Sequence, residues 1–176
     1  CSPRTRRVMV MSEVVAEGIA EKRVLQTLID VQQTLVEEAK INLNDGGITM
    51  RAVDPANVGM NFTELSADAF ESWDAPGSVT IGVNLERFTD ALDPAGKNDL
   101  VEFGIDMETR KLTVDIDHIH QEIALIDPDA IRQEPDEPNL DLPNAVVIEG
   151  GDLTQALDVS DTYGDRVDLV GDADAN

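Results

Sequence analysis

The sequence predicts an α+β fold, an antiparallel sheet with helices on one face, in one full domain followed by the start of a second. Three observations carry this. Alternating apolar and polar runs recur in pairs joined by short turns. Two segments place apolar residues at helical spacing. A motif order found near the N-terminus begins again near residue 145. At 176 residues with 41% apolar, the chain can bury one sizeable core.

Each element follows in order. "SEVVAEGIA" reads as a strand. "EKRVLQTLIDVQQTLVEEAK" predicts an amphipathic helix with Leu25, Leu28, Ile29, Leu35, Val36 and Ala39 on one face. Its other face holds Gln26, Thr27, Asp30, Gln33 and Thr34, polar yet nearly uncharged. "KINLNDGGITMRAV" is a hairpin, because the two glycines of Asn-Asp-Gly-Gly supply the positive φ that a tight turn requires. "DPANVGMNFTELS" gives a loop and a strand, and "VTIGVNL" a further strand. A second helix follows in "NLERFTDALDPAG", with Leu85, Phe88 and Leu92 inward and Pro94-Ala95-Gly96 ending it. "LVEFGIDMETRKLTVDID" is a second hairpin. "IDHIHQEIALID" is a third, with His118 in its turn and "QEIALID" as the last strand.

Residues 125–150, "LIDPDAIRQEPDEPNLDLPNAVVIEG", carry four prolines among many acids. Proline holds such a stretch extended, so it reads as a belt between domains. Beyond it, "AVVIEGGDLTQALDVSDTYGDRVDLVGD" echoes the beginning. Its VV-x-EG repeats Val14-Val15-x-Glu17-Gly18, and Leu153, Leu157 and Asp158 stand like Leu25, Ile29 and Asp30. The second copy stops after one helix and a strand, so the chain reads as truncated. The expected organisation is an extension outside the fold at 1–12, a first domain at 13–126, a connector at 127–143 and an incomplete second domain at 144–176.

Charge narrows the function. There are 36 acids against 13 Lys and Arg, a formal net charge of −23. At face value this argues against nucleic acid and anionic membranes as partners. It also fits a cytoplasm at molar salt, where the Debye length falls to about 3 Å and self-repulsion is screened. The apolar periodicity excludes a disordered acidic chain. Cys1 is the only cysteine, so no internal disulfide forms and a reducing compartment is expected. The basic "PRTRR" after it argues against a lipoprotein end, and Met9 or Met11 are alternative starts. No run approaches the roughly 20 apolar residues of a membrane span.

Catalytic motifs are missing: there is no phosphate loop, nucleophile elbow, HExxH or CxxC. "DIDHIHQE" places His118 and His120 beside Asp115 and Asp117, which read as polar residues near a turn. No catalytic residue, metal ligand or cofactor is assigned.

Four segments together are more specific. "RAVDPANVGM", "IGVNLERF", "ALIDPDAIRQEPDEPNLDLP" and the half-finished repeat resemble the archaeal DNA sliding clamp family, proliferating cell nuclear antigen. The acid content is similar to that of haloarchaeal members. The resemblance runs from about Glu13 to the end; "CSPRTRRVMV" has no counterpart in it. It implies a DNA-clamp fold with sheet outside and helices inside, two such domains per subunit, and a homotrimeric ring around double-stranded DNA. The implied partners are DNA polymerase, other replication and repair proteins, and a clamp loader. Partners dock a Gln-x-x-hydrophobic-x-x-aromatic-aromatic motif under the connector. No catalysis and no membrane partner are implied.

By position, the resemblance assigns peptide docking to Val53, Val58, Met60, Ile131 and Pro135. It places Lys22, Arg23, Gln26, Thr27, Gln33 and Arg87 facing the DNA channel, with Asp90, Thr154 and Asp158 on the same faces. It assigns the subunit interface to His120, Gln121, Glu122, Ile123 and Ala124. Where many clamps offer lysines to DNA, this chain offers Gln, Thr and Asp, with Lys97 as one further base nearby. Two other readings compete: an acidic peptide-docking module that does not encircle DNA, and a metal-dependent hydrolase built around Asp117.

Overall fold

The computed structural model describes residues 14–132 and 147–161. Residues 1–135 form one compact unit and 136–176 another. The extension at 1–12, most of the connector and the final strand of the repeat lie outside the described residues.

Among its described residues the first unit contains nine strands: β1 (Val14–Glu21), β2 (Glu38–Asn44), β3 (Gly47–Val53), β4 (Met60–Ser66), β5 (Ser72–Asp74), β6 (Val79–Asn84), β7 (Leu100–Asp106), β8 (Lys111–Ile116) and β9 (Ile119–Ala124). Two helices interrupt them, α1 (Lys22–Gln33) and α2 (Leu85–Leu92). All pairing among the described residues is antiparallel, as expected, and it forms two sheets: β5-β1-β7-β8-β9 and β4-β3-β2-β6. Strand alternation explains the architecture. Ala39, Ile41 and Leu43 of β2 and Leu112, Val114 and Ile116 of β8 point to the same core. Leu25, Leu28 and Ile29 of α1 meet them there with Leu85, Phe88, Ala91 and Leu92 of α2. Burying each large side chain contributes about 1.5–3 kcal/mol.

α1 is shorter than its apolar period suggests. Leu35 and Val36 follow the helix rather than lying on it, and Ala39 belongs to β2. The N–H groups of Leu35 and Val36 both donate to the carbonyl of Gln32, at 3.0 and 3.1 Å, which closes the helix. Residues 38–44 then pair on both sides, with β3 and β6, and that two-sided ladder outweighs one more turn of helix. At the other end, Lys22 and Arg23 donate their N–H groups to the carbonyls of Asp99 and Lys97. Those bonds satisfy orphan donors that Glu21 does not cap. The Asn84 side chain caps α2 by accepting from the Arg87 N–H at 2.9 Å.

The β2–β3 hairpin forms as expected, but of its two glycines Gly47 and not Gly46 holds the positive φ. Gly47 has φ +127°, and a Cβ there would lie 2.1 Å from the Leu65 carbonyl oxygen. In the second unit, Gly150–Asp161 form helix α3. The echoed strand before it is not formed over the described residues 147–149, which pair with no other described strand.

Candidate functional site

β3 carries Ile48, Met50 and Ala52 toward the interior and Thr49, Arg51 and Val53 toward the outer face. Val53 is 8% exposed yet lies outside the main core cluster. What covers this face is the chain after β9. Ile126 bridges Gly82 in the middle of β6, donating to its carbonyl at 2.8 Å and accepting from its N–H at 3.2 Å. A one-turn 3-10 helix follows at Pro128–Ala130, with the Asp127 side chain accepting from the Asp129 N–H. Ile131 then comes back over Gly82, where an added Cβ would meet its Cδ1 at 2.7 Å. The missing side chain at Gly82 is what seats both Ile126 and Ile131.

These elements enclose a groove of about 520 Å3. Leu35, Val36, Ala52, Val53, Pro55 and Ile131 supply its apolar lining, with Glu38, Arg51 and Arg132 among the polar lining. Its rim is a rigid loop between β3 and β4. Asp54 accepts from the N–H groups of Val58 and Gly59 at 2.8 Å each and of Ala56 at 3.2 Å. Chiefly through the Gly59 bond, these donors hold the Asp54 carboxyl below its ordinary 3.8. Arg132 reaches the same loop, donating to the Pro55 carbonyl at 3.1 Å and to Asn57 Oδ1 at 2.8 Å.

Of the residues expected to dock a peptide, Val53 and Ile131 share this groove. Met60 pairs with Val53 across the β3–β4 ladder and is partly exposed. Val58, at 87% exposure, sits on the loop and outside the groove lining. Pro135 lies outside the described residues. The expectation missed Arg132, Asn57 and Gly82. An isolated glycine inside "VTIGVN" marks close backbone approach, and Arg132 is the one base among the acids of 125–150.

The helix face adjoins the groove at its end, where Gln33 is part of the groove lining. Thr27, Asp30 and Gln33 are exposed on α1, Gln26 is half-buried, and Arg87 and Asp90 are exposed on α2. Gln33 Nε2 donates to Thr89 Oγ1 at 3.3 Å, joining the two helices. Two of the expected bases are engaged: Lys22 Nζ donates to the Ala95 carbonyl at 3.0 Å, and Arg23 pairs with Glu21. α1 carries Lys22 and Arg23 against Asp30, and α2 carries Arg87 against Glu86 and Asp90, so the pair is neutral in a chain of net charge −23.

β9 is an edge strand among the described residues. His120, Glu122 and Ala124 are exposed on it, whereas Ile123 is buried in the core. Gln121 Nε2 donates to the Ala91 carbonyl at 2.7 Å, so its side chain ties β9 to α2. His120 Nδ1 lies 2.7 Å from Asp115, and Glu122 pairs with Lys111, whose ammonium lowers the Glu122 carboxyl below its ordinary value.

The sequence and the fold of the first unit match known proteins. A family model described as proliferating cell nuclear antigen, N-terminal domain, matches residues 15–126. The chain belongs to that family. The DNA polymerase sliding clamp of Natronomonas pharaonis is 47% identical over 159 residues, covering 90% of this chain and 64% of the relative. The clamp of Haloarcula marismortui is 46% identical over 156 residues, covering 89% and 63%. The chain therefore spans somewhat less than two thirds of the length of these curated relatives. A solved structure of the C-terminal region of FEN-1 bound to A. fulgidus PCNA superposes with a TM-score of 0.80 at 35% identity, over 85% of this chain and 61% of that one. A PCNA2–PCNA3 complex from Sulfolobus tokodaii matches with a TM-score of 0.62 at 22% identity, over 72% and 51% of the two chains, which is a likeness of fold.

Proposed function

We propose that this chain supplies the first domain of a DNA polymerase sliding clamp, a non-catalytic ring that tethers polymerase and other replication and repair proteins to duplex DNA. The observation that carries this reading is the apolar groove between Val53 and Ile131, assembled on a domain of the clamp family by the chain returning over Gly82. An aromatic-ended peptide would bury its rings against Leu35, Val36, Val53 and Ile131, and a groove already closed by hydrogen bonds spares the ordering cost of binding. The A. fulgidus relative has the C-terminal region of FEN-1 bound to it.

In this reading α1 and α2 face the DNA. Their neutrality suits a ring held by topology: each phosphate contact loses affinity with salt at a log slope of about −0.9, so lysines gain little in molar salt. The exposed edge of β9, with His120, Glu122 and Ala124 beside it, pairs with the neighbouring subunit of a homotrimer, and a clamp loader opens the ring. The compartment is a high-salt cytoplasm. Among the described residues no helix is long and apolar enough to cross a membrane.

The test is fluorescence anisotropy in molar KCl with a labelled peptide of the Gln-x-x-Leu-x-x-Phe-Phe pattern. Saturable binding that Val53→Asp and Ile131→Asp each abolish, with the circular dichroism unchanged, supports the groove. Binding insensitive to both substitutions, or none by the unsubstituted chain, overturns it.

A further inference from the structure

Arg132 is exposed, yet its guanidinium spans more than seventy residues of sequence to reach the loop between β3 and β4. Both acceptors, the Pro55 carbonyl and Asn57 Oδ1, are neutral. The loop it reaches is already braced from inside by Asp54, and Asn57 holds a left-handed φ of 57° that aims its side chain from a fixed backbone. Ile131, the residue before Arg132, lines the groove together with Val53. Among the described residues this segment is held by the Ile126–Gly82 bridge, by an ion pair between Asp127 and Arg110 at 3.7 Å, by Ile131 seated on Gly82, and by Arg132 on the loop. The two contacts with Gly82 lie on β6. Among the described residues, Arg132 ties the segment to the loop between β3 and β4.

We propose that Arg132 is a positioning residue: it clasps the segment bearing Ile131 to the Asn57 loop, and so holds the docking groove at its working width before any partner arrives. The inference rests on the docking reading above. A planar guanidinium with several N–H donors can serve a carbonyl and an amide oxygen together, whereas a lysine offers one point of attachment. Bonds to neutral acceptors also depend less on ionic strength than an ion pair across the same gap, so these two bonds persist in concentrated salt, where the attraction between Arg132 and the Asp54 carboxylate is screened. When a groove is competent only while clasped, loss of the clasp lowers the fraction of molecules ready to bind, and apparent affinity falls by that fraction.

The signature is kinetic. Substitutions of residues that touch a ligand mostly speed dissociation. A positioning residue that sets the ready fraction slows association instead. The experiment is stopped-flow binding of the labelled Gln-x-x-Leu-x-x-Phe-Phe peptide to the full chain and to Arg132→Ala, Arg132→Lys and Asn57→Gly. Glycine removes the Asn57 amide while keeping the left-handed backbone unstrained. Loss of two hydrogen bonds in Arg132→Ala should lower the association rate about three- to tenfold with dissociation unchanged. Arg132→Lys should recover part of the loss, Asn57→Gly should show a smaller one, and Arg132→Ala with Asn57→Gly should be no worse than Arg132→Ala alone. The effect should persist in molar KCl.

Unchanged association in Arg132→Ala overturns the proposal. So does faster dissociation at an unchanged association rate, which would make Arg132 a direct peptide contact. If the unsubstituted chain itself fails to bind, the docking reading falls and this inference with it; failure of the clasp alone leaves that binding intact.

Discussion

Asp54 accepts three backbone N–H groups within five residues, and its carboxylate is the feature on which the groove's rim turns. Its folded pKa is lowered, chiefly by the Gly59 N–H. The charged form is therefore favoured by folding. The contribution is fully present above the unfolded value, ordinarily 3.8, and is lost as pH falls through the lower folded value. Amide exchange should accordingly show Val58 and Gly59 protected at neutral pH and opening below about pH 4 ahead of the core strands. In Asp54→Ala that protection should be absent at every pH; retained protection would show that the loop stands without the carboxylate. Gly82 is the other decisive residue. A Cβ would lie 2.7 Å from the Ile126 carbonyl oxygen as well as from Ile131. Backbone cannot yield as a flexible side chain does, so Gly82→Ala should cost about 1–3 kcal/mol in urea unfolding and weaken peptide docking together. A variant as stable as the parent that binds equally well would mean the segment from Ile126 to Ile131 does not need that gap.

The elements show where sequence pattern suffices and where it stops. α2 could be read whole, since Leu85, Phe88 and Leu92 are buried as their spacing requires and Asn84 provides the cap. Asn84→Ala should therefore lower stability by about 0.5–2 kcal/mol, measured as a shift of the urea midpoint with unchanged slope. α1 was over-extended because Leu35, Val36 and Ala39 keep a helical rhythm that a two-sided strand ladder overrides. Gln32 escaped notice altogether: a glutamine on a helix reads as surface, yet it is 0% exposed, donating to Thr63 Oγ1 of β4. β5 is three residues long and has no alternation to read. It exists because Trp73 packs on Phe70 and Phe103, with ring centroids 4.6 and 6.2 Å away, and donates its Nε1–H to the Asn44 carbonyl. Part of the groove was legible through Val53 and Ile131, which the family resemblance singled out. The clasp was not, because a contact between residues 57 and 132 leaves no local periodicity.

Across the whole chain the notable feature is the distribution of charge. A chain with 36 acids keeps the α1–α2 pair neutral, and the bases there are largely engaged with the protein itself. Affinity for a short linear duplex should therefore be weak and should change by no more than about tenfold for a tenfold change in salt, the slope of a single phosphate contact. Tight binding with a steep slope would show a phosphate-reading surface in place of a neutral channel wall.

The most direct measurement of the central claim is methyl NMR on the chain labelled at Ile, Val and Met, titrated with the Gln-x-x-Leu-x-x-Phe-Phe peptide in molar KCl. The account predicts saturable shifts at Ile131, Val53 and Met60, with Val24 and Val31 on α1 unmoved. Shifts confined to α1, or none at Ile131 and Val53 at saturation, would contradict it.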